Sequence, residues 1–220
     1  GQVELLSGGY YEPILVGVPR RDAVAQIRAL TERVVSIFGH RPLGAWLTER
    51  VWEPQLPSLL AEAGVAYTTL DEEHFLQAGL RRDELGQSFI TEDQGFPLVV
   101  FPGNERLRHL IPFKDVRQSI AELRERKDAG AKLIVYADDG EKFGAWPGTY
   151  DRVHKDGWLE EFFSAVAQAG VSIASLFALV VVTGRWQNGV FVVVVVANAL
   201  IGIVQEWRAK RTLDRLALLH

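Results

Sequence analysis

Carboxylates stand between aromatic side chains in two short segments of this sequence. The first segment, residues 46–52, reads Trp-Leu-Thr-Glu-Arg-Val-Trp and carries Glu49 at its centre. The second, residues 136–147, reads Tyr-Ala-Asp-Asp-Gly-Glu-Lys-Phe-Gly-Ala-Trp-Pro and carries Asp139 among three acids in four residues. Paired carboxyl groups can cut a glycosidic bond, because one protonates the leaving oxygen while the other attacks the anomeric carbon or activates water. Aromatic faces can stack on sugar rings, so the two segments indicate chemistry on a carbohydrate.

An acidic surface turn is the alternative interpretation of residues 138–141, because most carboxylates in proteins are solvated. Composition alone favours that alternative. Carboxylates that lie close together, however, raise one another's pKa, and a raised pKa suits a general acid. Glu49 and Asp139 also each follow a predicted strand, which is a further reason to expect chemistry.

The elements that would position these carboxylates alternate between strand and helix. Apolar residues at three- and four-residue spacing predict helices at 21–38, 54–63, 114–126 and 158–169. Apolar, β-rich runs predict strands at 43–47, 65–70, 98–101 and 132–137. Such alternation is typical of βα units around a parallel sheet, so the predicted fold class is α/β. Reactive groups in these folds lie at the carboxyl edge of the sheet, and two of the predicted strands end at Glu49 and Asp139.

The charge balance differs between the two ends of the 220-residue chain. Residues 171–220 carry five basic and two acidic side chains, a net charge of +3, so that −7 falls on residues 1–170 within the total of −4. An acidic front excludes nucleic acid as the expected partner, because phosphate contacts need clustered Lys and Arg. The chain has no cysteine, which excludes disulfides and thiolate metal sites.

The histidines and glycines indicate neither a metal nor a phosphate cofactor. No His-Glu-x-x-His or comparable spacing occurs, and His74 and His109 are expected to be structural or solvated. Gly140 and Gly144 stand beside acids, which would repel a phosphate group. The sequence therefore predicts no cofactor.

Three blocks between residues 3 and 168 resemble glycoside hydrolase family 57, most of all its 4-α-glucanotransferase and α-amylase branch. The blocks are 8–14 (Gly-Gly-Tyr-Tyr-Glu-Pro-Ile), 46–54 (Trp-Leu-Thr-Glu-Arg-Val-Trp-Glu-Pro) and 138–149 (Asp-Asp-Gly-Glu-Lys-Phe-Gly-Ala-Trp-Pro-Gly-Thr), in the family's order. The resemblance implies a seven-stranded relative of the (β/α) barrel. It also implies double displacement with retention on an α-1,4-glucan or maltooligosaccharide, with hydrolysis and transfer both left open.

The same resemblance assigns roles to individual side chains. By the family pattern Asp-x-Glu-x-Phe-Gly, Asp139 would be the acid/base, and Glu49 would be the nucleophile. The residues that would line the sugar subsites are Glu12, Trp46, Glu141 and Trp146. Glu12 would hydrogen-bond sugar hydroxyls, and the indole rings of Trp46 and Trp146 would offer apolar faces to glucose. The neighbours expected to support them are Arg50, Trp52 and Asp138. The alternatives for these three are an ion pair, helix packing and a turn acid, in that order.

One block of the family has no counterpart in this sequence, which begins at Gly1 without methionine. The missing block is a His-rich stretch ending in Gln-Pro on the first barrel strand, and its histidines help to bind the sugar at the cleavage point. Residues 1–168 are therefore expected to be an incomplete (β/α)7-barrel fragment with unpaired strand edges, located in the cytoplasm. A remnant that binds sugar without turnover is the alternative.

Residues 169–220 are predicted to form an apolar two-helix hairpin of the membrane type. Charge is absent from 165–183 and from 189–204, and each run approaches the ~20 residues of a membrane span. Basic residues cluster at 208–215, which predicts that this end is cytoplasmic. A membrane is therefore a possible partner through residues 165–204, and a buried strand is the alternative for the valine run 192–196.

The apolar tail carries a second resemblance. Residues 171–219 resemble the first membrane hairpin of P-type cation-transporting ATPases, through the stretch 195–217. The phosphorylated aspartate motif and the nucleotide domain of those pumps have no counterpart here, so the tail cannot pump ions by itself. Two interpretations follow: a transporter's membrane segment, or a chimera in which two unrelated reading frames join near residue 170.

Overall fold

The computed structural model describes residues 4–174, of which Leu5–Ile173 form one compact unit. The α-helices in this part of the chain are α1 (Arg20–Phe38), α2 (Leu56–Glu62), α3 (Glu72–Gln77), α4 (Glu105–Leu110), α5 (Val116–Asp128) and α6 (Trp158–Gln168). The strands are β1 (Gly44–Ala45), β2 (Tyr67–Asp71), β3 (Phe89–Asp93) and β4 (Phe96–Gly103). The four predicted helices are confirmed as α1, α2, α5 and α6, each end within two residues of its predicted position.

The strands form one sheet in the order β1-β2-β4-β3. Strands β1, β2 and β4 run parallel, whereas β3 pairs antiparallel with β4 as a hairpin. Single parallel bridges, Ser7 to Ala45 and Gly103 to Val135, extend the parallel order on both sides. The predicted α/β class is confirmed, and the segments that follow Ala45 and Val135 leave the sheet at the same edge.

The predicted strand at 132–137 is wrong in extent, because only Val135 pairs with the sheet. Its bridge reaches Gly103, the last residue of β4, and the Asn104 amide donates to the Val135 carbonyl at 2.7 Å. The reason lies in β3, which occupies that edge of β4 from Phe96 to Val100. Only the end of β4 is left for the segment that leads to Asp139.

Two apolar clusters hold this scaffold together. The first joins α1 and α2 to the sheet through residues such as Ile27, Leu60 and Leu98, all fully buried. The second joins α4, α5 and α6, and the partly buried rings of Tyr136 and Phe143 pack against it. The two carboxylate segments are thus anchored on different clusters, the first through Leu47 and the second through Tyr136 and Phe143.

Gly44 allows β1 to approach β2 closely. A Cβ atom built on Gly44 would lie 2.3 Å from the Cε2 atom of Tyr67, whose ring is 1% exposed. Real Cβ atoms do not come that near to another heavy atom, and the buried Tyr67 ring packs edge-on against Phe101. The strand that leads to Glu49 therefore depends on the absence of a side chain at this position.

We expect Gly44→Ala to lower the free energy of unfolding by about 1–3 kcal/mol, because overpacking a filled core forces side chains off their rotamers. Chemical denaturation of the 220-residue chain measures the change. Gly17→Ala is the matched control, since a Cβ there meets no atom within 4 Å; it should alter stability by less than about 0.5 kcal/mol. Equal stabilities for the two variants would contradict the close approach.

The apolar hairpin predicted for 169–220 lies almost entirely outside the described residues. Within residues 4–174, no helix combines the length and the apolarity that crossing a membrane requires. The first apolar run, 165–183, begins inside α6, which ends at Gln168, and Val166 is buried in the second cluster. The opening residues of that run therefore belong to the α6 packing.

Candidate active site

One cleft of about 540 Å³ collects every side chain that the sequence assigned to the site. Its lining includes Glu12, Trp46, Glu49, Asp139, Glu141 and Trp146. Leu6, Thr48, Asp138 and Gly140 complete the lining. Residues as far apart as 12 and 146 in the sequence therefore share one concave surface, with carboxylates and indole rings facing the same space.

Three residues of the cleft region hold a backbone conformation that side chains disfavour. The φ angles of Glu12, Glu49 and Arg50 are 52°, 55° and 54°. Of the residues that the structure describes, the remaining non-glycine case is Gln94, in the turn of the β3–β4 hairpin. Such a conformation costs of order 1–3 kcal/mol and persists only where the surrounding structure enforces it. Three strained residues in one region indicate that the packing around the cleft fixes their side-chain directions at a cost in backbone energy.

Glu49 is placed by a short 3-10 turn, Thr48–Arg50, that follows β1. Leu47 before it is 1% exposed, and the Arg50 guanidinium after it lies over the Trp46 ring, 5.3 Å from the ring centre. His74 Nε2–H donates to the Arg50 carbonyl at 3.1 Å, so the expectation of a structural role for this histidine is met. Because Leu47 is buried and Arg50 is held by these contacts, the exposed Glu49 side chain lies in the cleft.

Asp139 is placed by the segment that leaves the sheet at Val135. The Asp139 amide donates to Asp138 Oδ1 at 2.9 Å, and a 3-10 turn, Gly140–Phe143, follows directly. Asp138 itself has a side chain only 4% exposed, and Lys142 Nζ donates to its other carboxylate oxygen. Burial and the nearby Asp138 charge raise the pKa of Tyr136 well above its ordinary value, so this phenol stays neutral.

Glu141 and Trp146 are held in one tight turn. The Glu141 carbonyl accepts hydrogen bonds from the amides of Gly144, Ala145 and Trp146, at 3.2, 2.7 and 3.0 Å. The Trp146 ring stacks on Phe113 with ring centres 6.0 Å apart and planes 17° apart, and the residue remains 41% exposed. One indole face is therefore packed, while exposed surface is left for a ligand. Phe113 was not predicted, because no local pattern connects it with the cleft.

A second cavity, of about 580 Å³, contains none of the six predicted site residues. Its buried carboxylates are paired with arginines: Glu122 with Arg126 at 2.8 Å, and Glu72 with Arg82 at 3.2 Å. Burial raises the pKa of Glu72 in spite of both arginines. Burial also acts to raise the pKa of Glu122, but the hydrogen bonds from Arg126 and Asn104 and the charges of Arg126 and Arg106 together lower it. These groups neutralise one another, which is typical of a structural ion network rather than a reaction centre.

The cleft offers two carboxylates on separate segments, further acids beside them, and exposed aromatic surface. This set of groups suits proton transfer and nucleophilic attack at a sugar carbon. Among residues 4–174, no group of three or more His, Asp and Glu side chains is arranged to hold a metal ion.

A short part of the chain is similar to an ATPase named for calcium transport. The calcium-transporting ATPase CtpE of Mycolicibacterium smegmatis is 54% identical over 43 residues, which make up 20% of this chain and 5% of the ATPase. The likeness is confined to that fraction and does not define the family of the chain.

The larger part of the chain is similar to proteins named alpha-amylase and 4-alpha-glucanotransferase. An alpha-amylase of Pyrococcus horikoshii is 49% identical over 168 residues, covering 76% of this chain and 26% of that enzyme. The crystal structure of 4-alpha-glucanotransferase from Thermococcus litoralis matches with a TM-score of 0.70 at 46% identity, covering 76% of this chain and 26% of that one. The chain thus spans about a quarter of the length of these relatives. Residues 1–182 match the family Glycosyl hydrolase family 57, and the chain belongs to that family.

Proposed function

We propose that the cleft is the catalytic centre of a retaining enzyme that cleaves α-1,4-glucans by double displacement. The observation that carries the proposal is the meeting of Glu49 and Asp139 in one cleft, each delivered by a different segment at the same sheet edge. The names of the relatives, alpha-amylase and 4-alpha-glucanotransferase, support an α-glucan as the substrate.

In the first step, a carboxylate oxygen of Glu49 attacks the anomeric carbon of the glucan. The bond from that carbon to the glycosidic oxygen breaks, and Asp139 gives its proton to the departing oxygen. The products of this step are a glycosyl ester on Glu49 and a shortened glucan with a free hydroxyl. Asp139 is left as a carboxylate.

In the second step, Asp139 takes a proton from water or from a hydroxyl of an acceptor glucan. The activated oxygen attacks the anomeric carbon, and the ester bond to Glu49 breaks. Two inversions at the same carbon restore the α configuration. Water as acceptor gives hydrolysis and a glucan gives transfer, so the outcome depends on which of the two reaches the ester.

Substrate binding is assigned to the remaining polar and aromatic groups of the cleft. Trp46 and Trp146 offer apolar ring surface to the CH faces of glucose, and Glu12 and Glu141 accept hydrogen bonds from sugar hydroxyls. The strained φ of Glu12 supports this role, because tertiary packing holds its side chain at the cleft against backbone preference.

Incubating the 220-residue chain with maltoheptaose tests the proposal. The expected result is a set of shorter or redistributed maltooligosaccharides whose new ends are first released as the α anomer, observed by proton NMR before mutarotation. Release of the β anomer first would exclude double displacement. Binding of maltoheptaose without any product would favour the sugar-binding remnant instead.

The short likeness to a calcium-transporting ATPase supports a second proposal, which concerns residues 171–219 alone. We propose that this tail derives from the first membrane hairpin of a P-type ATPase and was joined to the glycosidase sequence near residue 170. Sequencing the source locus across the junction tests this origin. A continuous native gene through residue 170 would exclude it.

A further inference from the structure

Five side chains of alternating charge form a continuous path between the two catalytic segments. This ion chain consists of Arg50, Asp71, Arg108, Asp138 and Lys142. It begins at the residue after Glu49 and ends beside the residue before Asp139. Because three of its members are basic and two are acidic, it carries a net charge of +1 next to a cleft rich in carboxylates.

The first half of the ion chain is built on Asp71, at the carboxyl end of β2. Arg50 Nε lies 3.2 Å from both carboxylate oxygens of Asp71. Arg108 Nη1 donates to Asp71 Oδ1 at 2.8 Å. The side chains of Arg50, Arg108 and Asp71 are 10%, 19% and 27% exposed, so these contacts are partly shielded from solvent. One carboxylate thus ties the Glu49 turn to α4.

The second half is buried more deeply. Lys142 and Asp138 have side chains 3% and 4% exposed, and Lys142 Nζ donates to Asp138 and to the Arg108 carbonyl, the latter at 2.7 Å. Arg108 Nε lies 3.7 Å from the same Asp138 oxygen. The other Asp138 oxygen accepts the Asp139 amide at 2.9 Å. Asp138 therefore connects the ion chain to the backbone of Asp139 itself.

A buried ion pair contributes little net stability, because the loss of hydration of both charges offsets their attraction. What the buried pair does supply is geometry: each charge must remain where its partner is. The Lys142 ammonium is also enclosed by two aromatic rings, lying 5.0 Å from the centre of Phe113 and 5.9 Å from that of Tyr136. Its position is fixed from several sides.

We propose that the ion chain sets the position of Asp139 relative to Glu49, with Asp71, Arg108 and Lys142 as positioning residues. This inference rests on the proposed function of the cleft. Lys142 and Arg108 hold Asp138, which holds the Asp139 backbone and so aims the proton donor. Asp71 holds Arg50 and so aims the nucleophile turn. Neither Asp71 nor Arg108 contacts the substrate in this scheme.

The test compares two substrates on the same preparation of the 220-residue chain. Maltoheptaose needs a proton on its leaving oxygen, whereas α-maltosyl fluoride loses fluoride without one. The parameter compared is kcat/KM, because it reports only steps up to formation of the glycosyl ester. Lys142→Met should lower kcat/KM on maltoheptaose about 10- to 100-fold, part of the 10²–10⁴ that a general acid contributes, and on the fluoride less than about 3-fold. The ratio of the two values is independent of the folded fraction.

Lys155→Met is the matched control. Lys155 pairs with Asp151 at 2.7 Å in the same four-residue spacing as Lys142 and Asp138, but both partners are 65% exposed. Lys155→Met should leave kcat/KM unchanged for both substrates. Asp71→Asn should instead lower kcat/KM about tenfold or more for both substrates, because each of them requires the nucleophile. If Lys142→Met lowered kcat/KM equally for both substrates, the proposal that Lys142 positions Asp139 as the proton donor would be overturned.

A second measurement does not depend on turnover. Hydrogen exchange of the Asp139 amide, followed by NMR, should be faster in Lys142→Met than in the wild type, and unchanged in Lys155→Met. If the exchange rate in Lys142→Met were unchanged, the proposal that Lys142 holds the Asp139 backbone through Asp138 would be overturned. A wild-type chain silent on both substrates would overturn the proposed function and with it the catalytic role of the ion chain, while the exchange rates would still decide the tie.

Discussion

Glu49→Gln is expected to lower kcat/KM for maltoheptaose by on the order of 10⁴-fold or more, the scale of loss seen when a covalent nucleophile is removed. The amide has the size of the carboxylate but cannot form the glycosyl ester. The variant should lose turnover of α-maltosyl fluoride equally, because that substrate also passes through the ester. Product analysis by chromatography and fluoride release measure the two rates.

Binding separates loss of chemistry from loss of the site. Glu49→Gln should still bind maltoheptaose in calorimetry, since Trp46, Trp146 and Glu12 are untouched. Glu160→Gln, a substitution of the same kind at an exposed position in the first turn of α6, serves as the control and should keep full activity. A Glu49→Gln variant with more than a few per cent of wild-type turnover would remove Glu49 from the role of nucleophile.

Asp139→Asn is expected to reduce kcat/KM for maltoheptaose about 10²- to 10⁴-fold, the usual contribution of a general acid. On α-maltosyl fluoride the loss in kcat/KM should be small, because fluoride leaves without a proton. Hydrolysis of the ester would then be slow, since the base that activates water is missing. Added azide, which needs no base, should attack the ester, displace Glu49 and give an α-maltosyl azide.

The azide product identifies which of the neighbouring acids is the acid/base. Among single Asp→Asn variants at 138, 139 and 151, only the one at 139 should show azide rescue. Asp151 is the control, because its side chain is 65% exposed and outside the cleft. Azide rescue in Asp138→Asn rather than in Asp139→Asn would transfer the role to Asp138.

Local sequence was sufficient for the long elements of this fold. Helices α1 and α5 were predicted from apolar spacing alone, because each buries one stripe, as Val24 and Ile27 do on α1. The placement of Glu49 and Asp139 at the same sheet edge also followed from sequence, since parallel strands deliver their ends together. The roles of these two carboxylates came from the family resemblance and stay predictions.

Short elements were missed for a physical reason. Helices α3 and α4 are six residues each, too short to show a helical period. Strand β3 has five residues, none fully buried, and so lacks the apolar run that predicts a buried strand. The strand predicted at 132–137 did not form because β3 occupies the edge that it would need. The sequence of residues 132–137 does not indicate that β3 competes for this edge of β4.

The ion chain and the strained backbone were decided by tertiary structure alone. Asp71 and Arg108 are 37 positions apart, and a charge shows no preference for a distant partner until folding brings the two together. The positive φ of Glu49 is likewise invisible in the residue type, because glutamate disfavours it and only the surrounding packing imposes it. The sequence by itself thus determined which groups can react and at which edge they stand. Their mutual orientation depended on contacts between segments far apart in the chain, which local preferences do not encode.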